Sequence, residues 1–379
     1  MTSAAVSEAA ADNVMRSCIQ KVATGPEFSK DLPFADAYAA MRQILEGRAD
    51  PVQAAVLLIA LRMKRETHAE NAAVLQAILD TMQGVTAEVD EVIDVADPYD
   101  GFTRGLPVSP FLPAIFAACG IPAVCHGLEA VGPKYGVTHR KILRAAGIPV
   151  DRSPAEAATC VANPDIGWSY VDQQAFAPAL HDLIPLRSRI VKRQLLTTVE
   201  VLTGPVRGRA RTHLMTGYVH KAYPPVYAAL ARSSGYDSAA IIRGVEGGVI
   251  PSLKQPTRIF CYHGAAAEQP LDCLPDSIGI VQATRAVPLP DALQPDADAD
   301  GAAAAGMDRE AVARAAANAG LEALQGAPGP ARDSLVYAAA IMLQHLGNHE
   351  SLQEAAMAAR SVLDNGAAMA RFDAARNCH

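Results

Sequence analysis

Eight cationic side chains crowd into residues 187–221, "RSRIVKRQLLTTVEVLTGPVRGRARTHLMTGYVHK": Arg187, Arg189, Lys192, Arg193, Arg207, Arg209, Arg211 and Lys221, with Glu200 the one acid among them. A guanidinium is a planar fork of donors that meets phosphate oxygens two at a time, so several on one surface suit a ligand carrying several phosphates. Helical spacing puts Arg189 and Arg193 on one face with Arg187 close by, and an extended strand puts Arg207, Arg209 and Arg211 on one side. The competing reading is internal pairing, because the chain sets 40 Asp and Glu against 33 Lys and Arg for a formal net charge of −7. That balance excludes a general polycation, so a nucleic-acid partner has to be met by a local stripe.

A second chemical question lies in "EVIDVADPYDGFTRGLPVSP", residues 91–110, where a strand-like alternation runs into a turn. In α/β proteins the crevice beyond a strand's carboxyl end is a common phosphate seat. Here the turn holds Asp97, Pro98, Tyr99, Asp100 and Gly101. Proline supplies no amide, Tyr99 fills space and Asp97 repels an anion, so Tyr99, Asp100 and Gly101 read as lining of a cleft. Ser109 reads as the N-cap of the helix beginning "PFLPAIF". His126 and Gly127 end another strand, "IPAVCHG", and read as further lining of the cleft, His126 as a core histidine with a backbone partner in preference to a catalytic one. No residue set stands out as a metal site.

These residues need elements to hold them. Residues 1–27 are small and polar and read as a flexible N-terminal extension. A helical domain follows over 28–88, with Asp50 and Pro51 opening one helix and Thr67 with Glu70 forming a capping box for the next. Strand-like "EVIDVAD", "IPAVCHG", "AAIIRG" and "TRIFCYHG" then alternate with helical stretches, which implies crossover units and a mainly parallel sheet. The fold class is therefore α/β, a small α-helical N-terminal domain beside a larger α/β domain spanning 89–177 and 203–379. Residues 285–307, rich in Pro, Asp, Ala and Gly, read as a mobile loop, and Ser351 with Glu354 reads as a capping box near the end. The seven cysteines are scattered, form no C-x-x-C pair and make a poor disulfide framework. With no leader-like N-terminus and no run of about 18 apolar residues, the expectation is a soluble, cytoplasmic chain without membrane contact.

The order of a helical unit, a sheet, "PAVCHGLEAVGPKYGVTHRKILRAAGI", "FAPALHDLIPLRSR" and the terminal "SLQEAAMAARSVLDNGAAMARFDA" resembles anthranilate phosphoribosyltransferase and its relatives in glycosyltransferase family 3. The resemblance runs from about residue 28 to 375. It implies the nucleoside phosphorylase and phosphoribosyltransferase family 3 fold, with a helical segment near 178–202 completing the small domain and substrates in the cleft between domains. It also implies attack of an amine on C1 of phosphoribosyl pyrophosphate, with magnesium assisting and pyrophosphate leaving. The family's glycine-rich G-T-G-G-D turn is here Ala96 to Tyr99 followed by Asp100. Its H-G-x-D-G-L-D-E segment is "RGVEGGVI", with Val249 and Ile250 where the metal-holding acids belong and Glu246 at the first acid. Of the H-G-N-R segment, His126 and Gly127 remain but Leu128 and Glu129 replace Asn and Arg, so anthranilate is a poor substrate. Lys134 and Gly136 stand in a phosphate-binding turn of the family, and Ser109 where a family serine meets phosphate.

The spacing of Arg187, Arg189 and Arg193 also resembles the YbiB-type paralogues, which keep the fold, lack the donor site and bind nucleic acid as homodimers. The expectation is accordingly a homodimeric nucleic-acid or polyanion binding protein that needs no cofactor. The alternatives are a pentosyl transferase using magnesium and phosphoribosyl pyrophosphate on another acceptor, and a regulatory or scaffold homodimer.

Overall fold

The computed structural model describes residues 3–25, 27–294 and 306–378, with residues 3–12 described by their backbone alone. Four helices open the chain, Ser3–Val22, Phe34–Leu45, Pro51–Lys64 and His68–Leu79. Asp50 caps the third by accepting the amides of Val52 and Gln53 at 2.9 and 3.1 Å. Thr67 and Glu70 form the expected capping box. The Glu70 carboxylate also accepts the Leu32 amide at 2.8 Å and lies 2.8 Å from the Lys64 ammonium, so one buried acid fastens the linker before the second helix as well as the start of its own.

The expected flexible extension is corrected: residues 3–22 are helical, and Met15, Cys18 and Val22 are buried. Their spacing makes one apolar stripe that a small, polar composition hides. Short helices Pro178–His181, Ile184–Ile190 and Leu196–Val199 join this unit, and Leu180, Leu195 and Val199 share a core with Leu57, Leu61 and Ile78.

The nine strands among the described residues are β1 (Val85–Thr86), β2 (Glu91–Ala96), β3 (Ala123–Gly127), β4 (Trp168–Asp172), β5 (Val206–Arg207), β6 (Arg211–Gly217), β7 (Ser238–Ile242), β8 (Thr257–His263) and β9 (Gln269–Cys273). A seven-stranded sheet runs β4-β3-β2-β6-β7-β8-β9, while β1 and β5 pair separately. It is parallel from β4 to β7, and β8 and β9 close one edge antiparallel. The four expected strands are present, and β2 lies near the middle. Its residues alternate between two cores: Ile93 and Val95 face helices from the second half of the chain, while Val92 and Ala96 face the core shared with the helical unit. Burial on both faces is what a parallel sheet with crossover helices demands.

Two further expectations change. Cys160 and Cys378 form a disulfide, which scattered spacing did not suggest because the partners stand 218 residues apart in sequence. Of the expected loop at 285–307, residues 295–305 lie outside the described residues, whereas Val287 and Leu289 are buried and the Leu106 amide donates to the Val287 carbonyl at 3.0 Å. No helix among the described residues is long and apolar enough to cross a membrane.

At the end of the helix Pro330–His345, the His345 ring stacks on His263 with centroids 4.3 Å apart, and its Nε2 lies 3.1 Å from Ser238 Oγ. Burial, with the neighbouring His263 and His213, pushes the His345 pKa down to about 3. An unfolded histidine titrates near pH ~6.5, so as pH falls from there towards 3 the unfolded state gains a proton the native ring refuses. Stability should fall across that window by up to about 1.4 kcal/mol per pH unit from this group. Urea unfolding between pH 7 and 4 should show that slope, and His345→Gln should flatten it.

Candidate functional site

Strands β2, β6 and β7 end at the same edge of the sheet, facing the helical unit. A cavity of about 290 Å³ opens there, lined by Arg62, Arg193 and Thr197 from the helical side and by Pro98, Gly217, His220 and Glu246 from the sheet side.

At the tip of β2 the Asp97 carboxylate is buried and occupied. It accepts the Ser109 hydroxyl and, at 2.7 Å, the Val249 amide, and His139 Nε2 lies 2.8 Å from it. Burial works to raise the Asp97 carboxyl, but the His139 ring, the Ser109 hydroxyl and the Val249 amide together hold it below the ordinary carboxylate value. Ser109 is thus a donor to an anion, and that anion is the chain's own. The N-cap reading of Ser109 is corrected, since Val108 takes the cap position and Ser109 starts a 3₁₀ turn without a side-chain capping bond.

The next residues of the turn are committed just as fully. Tyr99 is buried, and its hydroxyl meets His126 Nδ1 at 2.5 Å. On its other side His126 Nε2 lies 2.9 Å from Asp94 Oδ1, and the Tyr236 hydroxyl donates to Asp94 Oδ2 at 2.5 Å. His126 is therefore a core histidine, held by side chains rather than by the expected backbone partner. Burial, then the charges of Glu200 and Asp94, push the Tyr99 phenol well above its usual value and keep it protonated. Asp100, also buried, draws in two expected phosphate ligands, Arg193 at 2.5 Å and Lys134 at 3.3 Å. Gly101 adopts a left-handed backbone, and a Cβ there would lie 2.7 Å from the Gly136 carbonyl carbon, so Gly101 and Gly136 serve contact between two turns. Gly127 ends β3 beneath the Tyr170 ring.

The "RGVEGGVI" turn shows the same inward use. A Cβ on Gly244 would stand 1.6 Å from the Gly248 carbonyl oxygen, so the glycines fold the turn on itself. Glu246 accepts the amides of Thr103 and Arg104, at 3.0 and 2.8 Å, together with the Thr103 hydroxyl at 3.1 Å. Val249 is fully buried. Glu129, where the resemblance has an arginine, bridges Lys141 at 2.5 Å and Arg144 at 2.7 Å.

The basic segment divides. Arg187 is not a surface ligand: it is buried and bidentate to Glu200, both contacts 2.7 Å. Its helix ends at Ile190, where Val191 takes a left-handed backbone (φ 66°), so Arg193 does not share a helical face with Arg189. Arg207 lies over the Tyr236 ring at 4.1 Å and donates to the Ser234 carbonyl at 2.8 Å. Arg209 pairs with Asp90 at 2.8 Å and Arg211 with Glu91 at 3.0 Å, and a turn between β5 and β6 separates the three arginines expected on one strand. Arg189, Lys192 and Lys221 are exposed and have no ion-pair partner among the described residues.

Residues 16–82 match the helical bundle domain of the glycosyl transferase family. The chain is 27% identical over 357 residues to the anthranilate phosphoribosyltransferase of Rhodopseudomonas palustris strain BisA53, covering 94% of this chain and 96% of that one. It is 28% identical to the Thermomicrobium roseum enzyme of the same name, covering 94% of each. Among solved structures, anthranilate phosphoribosyltransferase from Thermus thermophilus superposes with a TM-score of 0.72 at 21% identity, over 96% of this chain and 98% of that one. The Saccharomyces cerevisiae enzyme in complex with PRPP and Mg also gives 0.72, at 17% identity, over 95% and 96%.

Along nearly its whole length the chain is similar to anthranilate phosphoribosyltransferases, and it shares their fold.

The residues that sequence reasoning missed are His139, Arg62 and the anchoring role of Glu246. His139 carried a signal, since Thr138 caps the helix His139–Ala145 and fixes its first residue beside the β2 turn. Removing Arg187 leaves Glu200 buried without its partner, a loss of about 3–5 kcal/mol by analogy with other broken buried pairs. Arg209→Ala should cost less than about 1 kcal/mol, as exposed pairs do. Denaturant unfolding of Arg187→Ala and Arg209→Ala checks both, and equal effects would contradict the division drawn here.

Proposed function

We propose that this chain uses the transferase fold to bind a polyanion, with single-stranded nucleic acid the foremost class, on the rim of the cleft. The observation that carries the reading is the division of its cations. Arg187 and Arg193 are matched by the chain's own carboxylates and Arg207 by the Tyr236 ring and backbone carbonyls, whereas Arg189, Lys192 and Lys221 are exposed and unmatched among the described residues, with Lys221 next to the cavity-lining His220. Unmatched cations on a surface release counterions from a phosphate backbone and so gain affinity. A homodimer belongs to this reading, as in the binding paralogues that the sequence resembles.

Magnesium and phosphoribosyl pyrophosphate do not fit the residues present. The Asp97 carboxylate holds the donors at the end of β2, and the Glu246 oxygens are engaged by the 103–104 loop. Val249 and Ile250 offer no oxygen ligand from their side chains.

Fluorescence anisotropy with labelled single-stranded DNA and RNA at low salt should show binding that weakens with salt. The triple variant Arg189→Ala, Lys192→Ala, Lys221→Ala should bind more weakly, with the log–log salt slope reduced by about 0.7 for each phosphate no longer neutralised. Absence of binding at low salt, or an unchanged slope, rejects the reading. Calorimetry with phosphoribosyl pyrophosphate and magnesium should show no heat of binding, and a metal-dependent heat would restore the transferase reading.

A further inference from the structure

A second cavity, of about 610 Å³, opens beside β7 and β8 and shares Tyr218, Val219 and Glu246 with the first. Its wall includes three arginines from three separate segments: Arg104 after the β2 turn, Arg243 just past β7, and Arg285 ahead of the buried Val287. All three are exposed, and none makes an ion pair among the described residues. Glu246 is the one acid lining the cavity, and every contact its oxygens make is to Thr103 or Arg104 backbone or to the Thr103 hydroxyl. Many other arginines of the chain meet a carboxylate, among them Arg140, Arg144, Arg187, Arg209, Arg211, Arg258 and Arg332.

Three like charges gathered on one concavity repel one another and are tolerated most cheaply when an anion completes them. The rest of the wall decides what kind of anion. Thr284 and Gln255 supply polar side chains with no partner among the described residues, while Val219, Pro256 and Pro288 present an apolar side. Val219 is 54% exposed, an apolar surface at the mouth of the cavity that a ligand would cover. Concavity, volume and an apolar side with a few convergent polar groups are the marks of a small-molecule site rather than an open track for a polymer.

We infer that this cavity binds a small organic phosphate, its phosphoryl group held by Arg104, Arg243 and Arg285 and its body laid against Val219, Pro256 and Pro288. The inference does not rest on the polyanion reading, which uses other cations, Arg189, Lys192 and Lys221, none of which lines this cavity.

Calorimetry of the full chain with adenosine 5′-monophosphate as probe, and adenosine as the phosphate-free control, tests it. Binding is expected with the nucleotide and not with adenosine. Arg243→Ala and Arg285→Ala should each weaken it roughly tenfold, as removal of a charge-assisted hydrogen bond does. Because these side chains are exposed and unpaired, melting temperatures of the variants should match the parent, so weaker binding reports the arginine's own hold on the ligand. No binding at millimolar nucleotide, equal binding of adenosine, or indifference to both substitutions overturns the inference. So does a sensitivity of oligonucleotide binding alone to these arginines.

Discussion

The Asp97 carboxylate is the point at which the upper edge of the sheet is tied together. It ends the central strand β2, and its partners come from the turn before the helix Leu112–Ala118, from the first residue of the helix His139–Ala145 and from the glycine turn after β7. A buried charge is tolerable only when its lone pairs are satisfied, so the three segments are drawn to one place. In a phosphate-binding protein the same kind of constellation, a serine hydroxyl, a backbone amide and an imidazole at a strand end, would close around a ligand. Here it closes around the chain, and the surrounding residues follow suit. Asp100 gathers Lys134 and Arg193, Glu246 gathers the 103–104 loop, and Tyr99 fills the space between. The cleft retains its place in the fold while its interior has become largely self-satisfied.

The same principle explains why a strongly basic stretch yields so few free cations. Parallel pairing of β2 and β6 sets Glu91 opposite Arg211 and brings the acids ahead of β2 alongside the arginines ahead of β6. These pairs span about 120 residues of sequence, so their neutralisation is a property of strand register and not of local composition. Arg187 is matched in a different way, by an acid 13 residues on that lies inside the core of the helical unit.

Local chemistry was legible in the sequence wherever the partners are close along the chain. Asp50 and the Thr67–Glu70 box formed as read, and Ser351 accepts the Glu354 amide, although the Glu354 carboxylate turns to the Glu350 amide instead of completing its box. Strands β2, β3, β7 and β8 announced themselves by apolar runs. β6 was harder, because Thr212, His213 and Thr216 are buried polar residues whose bonds are made sideways, as Thr216 does with the Ala96 carbonyl at 2.9 Å. At the site, the unsuitability of the β2 turn for a phosphate could be read from Pro98 and Tyr99. That Asp97 would itself take up the donors could not, because Ser109, His139 and Val249 meet only after the crossovers from β2 through β7 have been folded.

The tail of the chain carries one more implication. Cys378 is bonded to Cys160, but the last helix is also clasped without that bond: the Trp168 indole donates to the Arg371 carbonyl at 3.1 Å, and Arg152 reaches the carbonyls of Ala375 and Cys378 at 2.5 and 2.8 Å. Phe372 adds a stack on Trp168. The clasp and the sulfur bridge are thus two independent fasteners on a single hem, so the hold on the helix beside β4 does not depend on sulfur alone.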